Sequence, residues 1–141
     1  MAWIESHQSL GTHKKLLILC EELHIDRTRA VGMLHYLWWW ALDNAPDGNL
    51  KDIPATTIAR AAHWNPKITL PVNHQKGRLN AEKIQEKSAI IQAKIEENAF
   101  KFIYALQLSG FMDDLSLHDW EDYAGKLIQS RNNNKEKQKK C

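Results

Sequence analysis

His35-Tyr36-Leu37-Trp38-Trp39-Trp40-Ala41-Leu42 is the stretch that decides the fold, with three of the chain's 6 Trp in a row. A helix turns each successive side chain by about 100°, so three neighbours cannot share one face. Leu34, Leu37, Trp38, Ala41 and Leu42 fall at helical spacing and form a stripe, while Trp39 and Trp40 point elsewhere. A helix apolar on most sides is usually buried on most sides. The stretch therefore predicts a central helix with other helices packed around it. Each Trp brings a large apolar surface and one N–H donor. Core is the ordinary role for such rings, and the sharper alternative gives one Trp to a partner surface.

Around this stretch the composition is that of a soluble globular domain. The chain has 141 residues, 43% of them hydrophobic and 26% charged, enough for one domain with a real core. No apolar run approaches a membrane span. The opening Met1-Ala2-Trp3-Ile4-Glu5 has neither a basic n-region nor a signal-peptide core, which places the protein in the cytoplasm. Cys20 lies in a helical stripe and Cys141 is the last residue, so there is no disulfide framework. The formal charge is +2, but it is unevenly spread. Residues 130–141 carry Arg131, Lys135, Lys137, Lys139 and Lys140 against Glu136, a net +4, which leaves −2 on the rest. Nucleic-acid binding must then come from a local patch, from this tail, or from both.

On the N-terminal side of the tryptophans, Trp3 and Ile4 are expected against the core. Thr12 is the expected N-cap of a first helix with Leu16, Leu19, Cys20 and Leu23 inside and Lys14, Lys15, Glu21 and Glu22 in water. Asp26 is placed to cap the tryptophan helix after Ile25, and Ala45-Pro46-Asp47-Gly48 to end it. Residues 49–53 read as one short strand. Pro54 suits the first turn of a third helix that runs to about His63, with Ile58, Ala59 and Ala62 inward and Thr56, Thr57 and Arg60 more outward. Asn65-Pro66 stops it. Ile68, Leu70 and Val72 alternate as an edge strand or a loop beside Pro71. Asn80 is expected to cap a long fourth helix, with Ile84, Ile91, Ile95, Phe102 and Leu106 at helical spacing and Gly110 at its end. Its length of about 30 residues suggests a break near Glu97-Asn98. Phe111-Met112 and Leu115-Ser116-Leu117 read as a hairpin turned by Asp113-Asp114. Asp119 is expected to cap a last helix, with Trp120, Tyr123, Ala124, Leu127 and Ile128 on its apolar face. Residues 130–141 read as a disordered basic tail, set apart from a domain over 1–129.

Catalytic and metal motifs are missing from this pattern. There is no Gly-rich phosphate loop and no Cys-x-x-Cys pair. Cys20 and His24 have metal-ligand spacing, but nothing nearby in sequence supplies further ligands. Asp113-Asp114 are turn residues, and His118-Asp119 lacks a nucleophile placed by any motif. The reading is a non-enzyme with no cofactor and no metal.

The order of elements is more informative. Helix, helix, short strand, helix, helix, hairpin, helix is the order of a winged helix-turn-helix. The fold class expected is mainly α, a winged helix-turn-helix with a β-hairpin wing and a long helical insertion over about 67–97. The helix at 54–63 would support, residues 94–109 would enter the major groove, and 111–117 would be the wing. Lys94, Asn98, Lys101, Tyr104 and Gln107 are the outward residues of that recognition helix. Lys and Tyr can hold phosphates, and Asn and Gln can read base edges. With Thr56, Thr57, Arg60 and Arg131 they are the candidate DNA-binding residues. The same residue types also occur on an ordinary solvated helix face.

Several longer stretches then carry a resemblance. Met1-Ala-Trp-Ile-Glu-Ser-His-Gln-Ser-Leu10, Gly32-Met-Leu-His-Tyr-Leu-Trp-Trp-Trp-Ala-Leu-Asp43, Ala45-Pro-Asp-Gly48 and Ile58-Ala-Arg-Ala-Ala62 are similar to the opening of phage and prophage replication proteins. Ser109-Gly-Phe-Met-Asp113 and Leu117-His-Asp-Trp-Glu-Asp-Tyr-Ala-Gly-Lys-Leu-Ile128 fit as well. These stretches resemble the N-terminal domain of phage replisome-organiser proteins, related to DnaD-like primosome initiation proteins. The resemblance covers residues 1–66 and about 98–131. It implies a winged-helix domain that helps assemble replication machinery on DNA, with host replication proteins as further partners. It supplies no catalytic residues and fixes no DNA contact by motif. Two departures limit it. Residues 67–97 intervene where similar sequences have a short connection, and the region that commonly follows the basic linker is not in this sequence. Oligomerisation and helicase loading tied to that region are not carried over. The readings next to it are a protein-interaction adaptor on the same scaffold, favoured by the −2 charge and the aromatic excess, and a transcriptional regulator.

The inserted segment carries an expectation of its own. Residues 80–97 should be helical and continuous with the recognition helix. Ile84, Ile91 and Ile95 are spaced seven and four apart, close to a coiled-coil seam, with Glu82, Lys83, Glu86, Lys87 and Lys94 alongside. This row is a surface either for a homodimer or for the chain's own core.

Overall fold

The structure is a computed structural model that describes residues 8–68, 81–121 and Ala124. Those residues form a mainly helical fold with one small antiparallel sheet. A 3-10 turn, Gln8–Thr12, precedes four α-helices: α1 Lys14–Leu23, α2 Arg27–Asn44, α3 Ala55–Ala61 and α4 Ala81–Ser109. The strands β1 Met112–Asp113 and β2 Ser116–Leu117 follow. Residues 1–7 with Trp3 and Ile4, residues 69–80 with Leu70, Val72 and Asn80, and Tyr123, Leu127, Ile128 and the 130–141 tail lie outside the described residues.

α2 buries the stripe that the tryptophan stretch predicts, but it is neither enclosed nor the hub of the fold: α4 packs most widely, against α1, α3 and β1. Asp26 starts α2 with extended backbone, and its carboxylate accepts the Arg29 N–H at 2.7 Å, which satisfies one of the orphan donors of the first turn. Ala30, Met33, Leu34, Leu37, Trp38, Ala41 and Leu42 are buried. Burying each large side chain is worth about 1.5–3 kcal/mol, so this stripe contributes substantially to the core. Trp38 meets Phe111 across the core, with ring centroids 6.5 Å apart. Trp40 is half-buried, whereas Tyr36 and Trp39 are exposed. One face of the expected all-round packing is therefore open.

Helix ends follow local chemistry, and several differ from the sequence expectation. His13, not Thr12, caps α1; its ring accepts the Lys15 N–H at 3.1 Å. Lys15 is not fully in water: its ammonium donates to the Gly110 carbonyl at 3.3 Å, a cation at the negative end of α4. α1 closes through His24 in the left-handed region, with the Ile25 N–H on the Cys20 carbonyl. α3 closes the same way with His63 at φ 61; the His63 N–H reaches the Arg60 carbonyl and the Trp64 N–H the Ala59 carbonyl. That is a Schellman closure without glycine. It ends α3 at Ala61, before the expected His63, and Pro54 sits at the N-cap rather than in the first turn. Gly110, at φ 90, ends α4 with the Phe111 N–H on the Leu106 carbonyl, as read from the sequence.

α4 is continuous for 29 residues, with no break at Glu97-Asn98. Its second half packs against α1 and α3 through Ala99, Phe102, Ile103 and Leu106. The hairpin pairs Met112 with Leu117 and Asp113 with Ser116. The two turn residues are thus Asp114 and Leu115, one position beyond the expected Asp113-Asp114, and Asp114 takes φ 54. The expected strand at 49–53 is reduced to a bridge between Asn49 and Ser116. The Leu50 N–H donates to Leu115 and the Leu117 N–H to Gly48, so this segment edges the hairpin. Asp119 is not an N-cap of the usual kind: its φ is 52, and its carboxylate lies 3.2 Å from His118 Nε2. Beyond it, Trp120 and Ala124 are helical and buried. No helix of the described residues is long and apolar enough to cross a membrane.

Candidate nucleic-acid interface

α3 and the middle of α4 enclose a groove of about 370 Å³. α3 lays its small residues Ala59 and Ala62 inward, which lets α4 approach closely and turns Thr56, Thr57 and Arg60 toward the groove and solvent. From α4, Gln92, Ile95, Asn98 and Ala99 line the other wall. Trp64 holds the two helices in register. Its indole N–H donates to the Asn98 carbonyl at 3.1 Å, and its ring stacks on Phe102 with centroids 5.9 Å apart. The Arg29 guanidinium lies 5.8 Å from the same ring, close enough for a cation–π contact.

Of the sequence candidates, Thr56, Thr57, Arg60 and Asn98 share this groove. Lys101 and Tyr104 lie outside it, exposed on α4, and Lys94 is half-buried. Gln107 lies outside the groove and is engaged within the chain. Its side-chain amide donates to the Asp114 carbonyl at 2.6 Å and ties the hairpin to α4. Arg131 lies outside the described residues. The groove residues that sequence reasoning passed over are Trp64, Gln92 and Ile95. Trp64 had a signal: it is the second residue past the α3 cap, where an apolar side chain commonly packs back on the helix it follows.

The charge of the surface is mixed. The hairpin carries Asp113 and Asp114, and Asp113 Oδ2 contacts His118 Nδ1 at 2.5 Å. Carboxylates here make the hairpin unfavourable to phosphate, whereas Arg60 lines the groove and Arg29 lies beside Trp64. The outer face of α4 presents Phe100, Tyr104 and Leu108, which are 63%, 59% and 50% exposed, a row at i, i+4 and i+8 that the outward-residue reading had not singled out beyond Tyr104.

No three His, Cys, Asp or Glu side chains of the described residues gather as metal ligands. Cys20 is half-buried, and burial first, then the Asp26 charge, raises its thiol pKa above the usual 9.0. That leaves it protonated near neutral pH and a poor nucleophile. No family of proteins, no curated protein and no solved structure matches the chain.

Proposed function

We propose that this chain is a non-catalytic DNA-binding module with a winged-helix fold, acting in phage or prophage replication initiation. The observation that carries the reading is the bridge between Asn49 and Ser116. It joins the segment between α2 and α3 to the hairpin after α4, so the hairpin is braced by a stretch distant from it in sequence. Helix, helix, edge segment, helix, helix, hairpin is the layout in which a helix and its wing meet DNA. The groove with Thr56, Thr57, Arg60 and Asn98 supplies donors of the right types beside α4. The role in replication rests on the resemblance of the quoted stretches.

The test is titration of duplex DNA at two salt concentrations, with the intact chain and with a chain lacking residues 130–141. A phosphate-driven interaction weakens steeply with salt, and each lost phosphate contact lowers the slope by about 0.9. Failure of the intact chain to bind at low salt refutes the proposal.

A second reading, a protein-docking adaptor, is favoured by exposed Phe100, Tyr104 and Leu108 and by the acidic hairpin. It is distinguished by Phe100→Ser with Leu108→Ser. Under this reading that variant keeps its DNA behaviour and loses a nuclease-resistant host partner.

A further inference from the structure

We propose that a notch beside α2, floored by Gly32 and framed by Arg29, Tyr36, His63 and Trp64, takes an unpaired base of a single nucleic-acid strand, with the exposed Trp39 ring stacking a neighbouring base. The notch adjoins the groove between α3 and α4 but is a separate site, and it stands or falls apart from the duplex reading.

Helix spacing and two contacts build the notch. Gly32 lies one turn after Arg29 and one turn before Tyr36, so the three share a side of α2. That side is turned toward the end of α3. The Arg29 guanidinium lies 5.8 Å from the Trp64 ring, and the Tyr36 ring lies 4.2 Å from the His63 ring, tilted by 45°. Gly32 stands between these two contacts, and a Cβ there would meet nothing within 4 Å. The gap is bounded by three rings and a guanidinium, over bare backbone. Arg29, Tyr36 and His63 are exposed, so it opens to solvent. His63 sits at φ 61, a left-handed position that glycine fills without strain. The chain keeps a ring there and lays it on Tyr36. Trp39, one turn on from Tyr36, is 47% exposed, and its ring stands nearly perpendicular to the Tyr36 ring at 5.5 Å.

The side chains choose the occupant. Tyr36 and Trp39 are the large apolar side chains that α2 leaves exposed, and α3 exposes none. The surface therefore offers rings rather than aliphatic bulk. Every base has a π-face, and unpaired bases are held by stacking on aromatic rings and guanidinium planes. A paired base keeps its faces inside the duplex and cannot enter the notch. The charge fits as well. α2 and α3 carry Arg27, Arg29 and Arg60 against Asp43, a net +2, whereas residues 1–129 together sum to −2. Asp26, just before α2, has its carboxylate engaged on the Arg29 N–H. Arg29 at the notch and Arg60, one turn before His63, are placed for the flanking phosphates. Asp43, one turn beyond Trp39, marks where the basic side ends.

Fluorescence anisotropy of labelled oligothymidylate and oligouridylate of about 12 nucleotides, titrated with the intact chain at low salt, reads the binding and tells DNA from RNA. Tyr36→Leu and Trp39→Leu keep apolar bulk but lose the ring, and each should weaken single-strand binding about 5- to 150-fold. Tyr36→Phe and Trp39→Phe should restore most of the affinity. Gly32→Leu fills the notch and should weaken binding likewise with helical circular dichroism retained, since leucine outranks glycine in a helix. Duplex binding should be unchanged in all five variants. In the native chain, where no variant has to fold, the strand should shift the backbone amides of Gly32, Tyr36 and His63 and the Trp39 indole N–H. The proposal is overturned if neither strand binds, or if those four signals stay in place when one does. It is equally overturned if the leucine variants bind as tightly as the native chain, if they weaken duplex binding in equal measure, or if removing residues 130–141 alone abolishes single-strand binding.

Discussion

Replacing Gly48 by alanine probes the junction on which the winged-helix reading stands. Gly48 has φ 76, and a Cβ placed there lies 2.6 Å from Trp120 Cγ and 2.7 Å from its Cδ1. Neither side can give way cheaply. The Trp120 ring is buried and its indole N–H donates to the Pro46 carbonyl at 2.7 Å. The Gly48 carbonyl accepts the Leu117 N–H at 2.8 Å, so a backbone shift breaks the link to β2. The left-handed conformation costs a non-glycine residue about 1–2 kcal/mol, and overpacking a filled site costs about 1–3 kcal/mol. Gly48→Ala should therefore destabilise by about 2–5 kcal/mol, a large part of the roughly 5–15 kcal/mol that holds a domain folded. Urea unfolding followed by far-ultraviolet circular dichroism measures it, because that signal does not depend on the tryptophan. In a Trp120→Leu background the ring clash is gone and the backbone cost remains, so the cycle should show a coupling of about 1–3 kcal/mol. A Gly48→Ala chain within about 0.5 kcal/mol of wild type, or an equal cost in both backgrounds, refutes this account of the junction.

Three smaller perturbations test other joints. Asp26→Ala removes the side-chain acceptor of the Arg29 N–H and should cost about 1 kcal/mol in the same unfolding assay; no change would mean the cap contributes nothing. Trp64→Phe keeps an aromatic ring against Phe102 but deletes the indole donor to Asn98. It should cost about 0.5–1.5 kcal/mol, and a neutral result would remove Trp64 as the tie between α3 and α4. Cys20, with its thiol pKa raised above 9.0 chiefly by burial, should react with iodoacetamide more slowly at neutral pH than an unfolded control and accelerate only in alkali. The raised value also means that the neutral thiol is favoured by the fold. Its contribution is complete below 9.0 and is lost as pH rises through the folded pKa; a rate equal to that of the control contradicts the burial.

Much of the helical layout was readable because it rests on periodicity and caps. The stripe through Leu34, Leu37, Trp38 and Ala41, the Asp26 cap and the Gly110 stop all follow from local rules. The misreadings come from chemistry that local rules do not reach. α3 stops early because His63, a non-glycine residue, adopts the left-handed conformation. The expected continuity of residues 80–97 with the second half of α4 is seen in one helix from Ala81 to Ser109, and only the break suggested by helix length is absent. Helix spacing also does not show that the hairpin folds back to take the Gln107 amide. Asp119 has the composition of a cap but lies at positive φ. For the candidate site, spacing placed Thr56, Thr57, Arg60 and Asn98 on their helices. Only the packing of α3 on α4 brings them to one groove, and only there does Trp64 acquire its role.

The central claim, a DNA-binding surface beside α3 and the second half of α4, is tested most directly by backbone amide chemical-shift mapping on addition of duplex DNA at low salt. The account predicts that shifts cluster at Thr56, Thr57, Arg60, Asn98 and Lys101 and fade as salt is raised. Shifts absent from all five positions, or confined to residues 130–141, would contradict it.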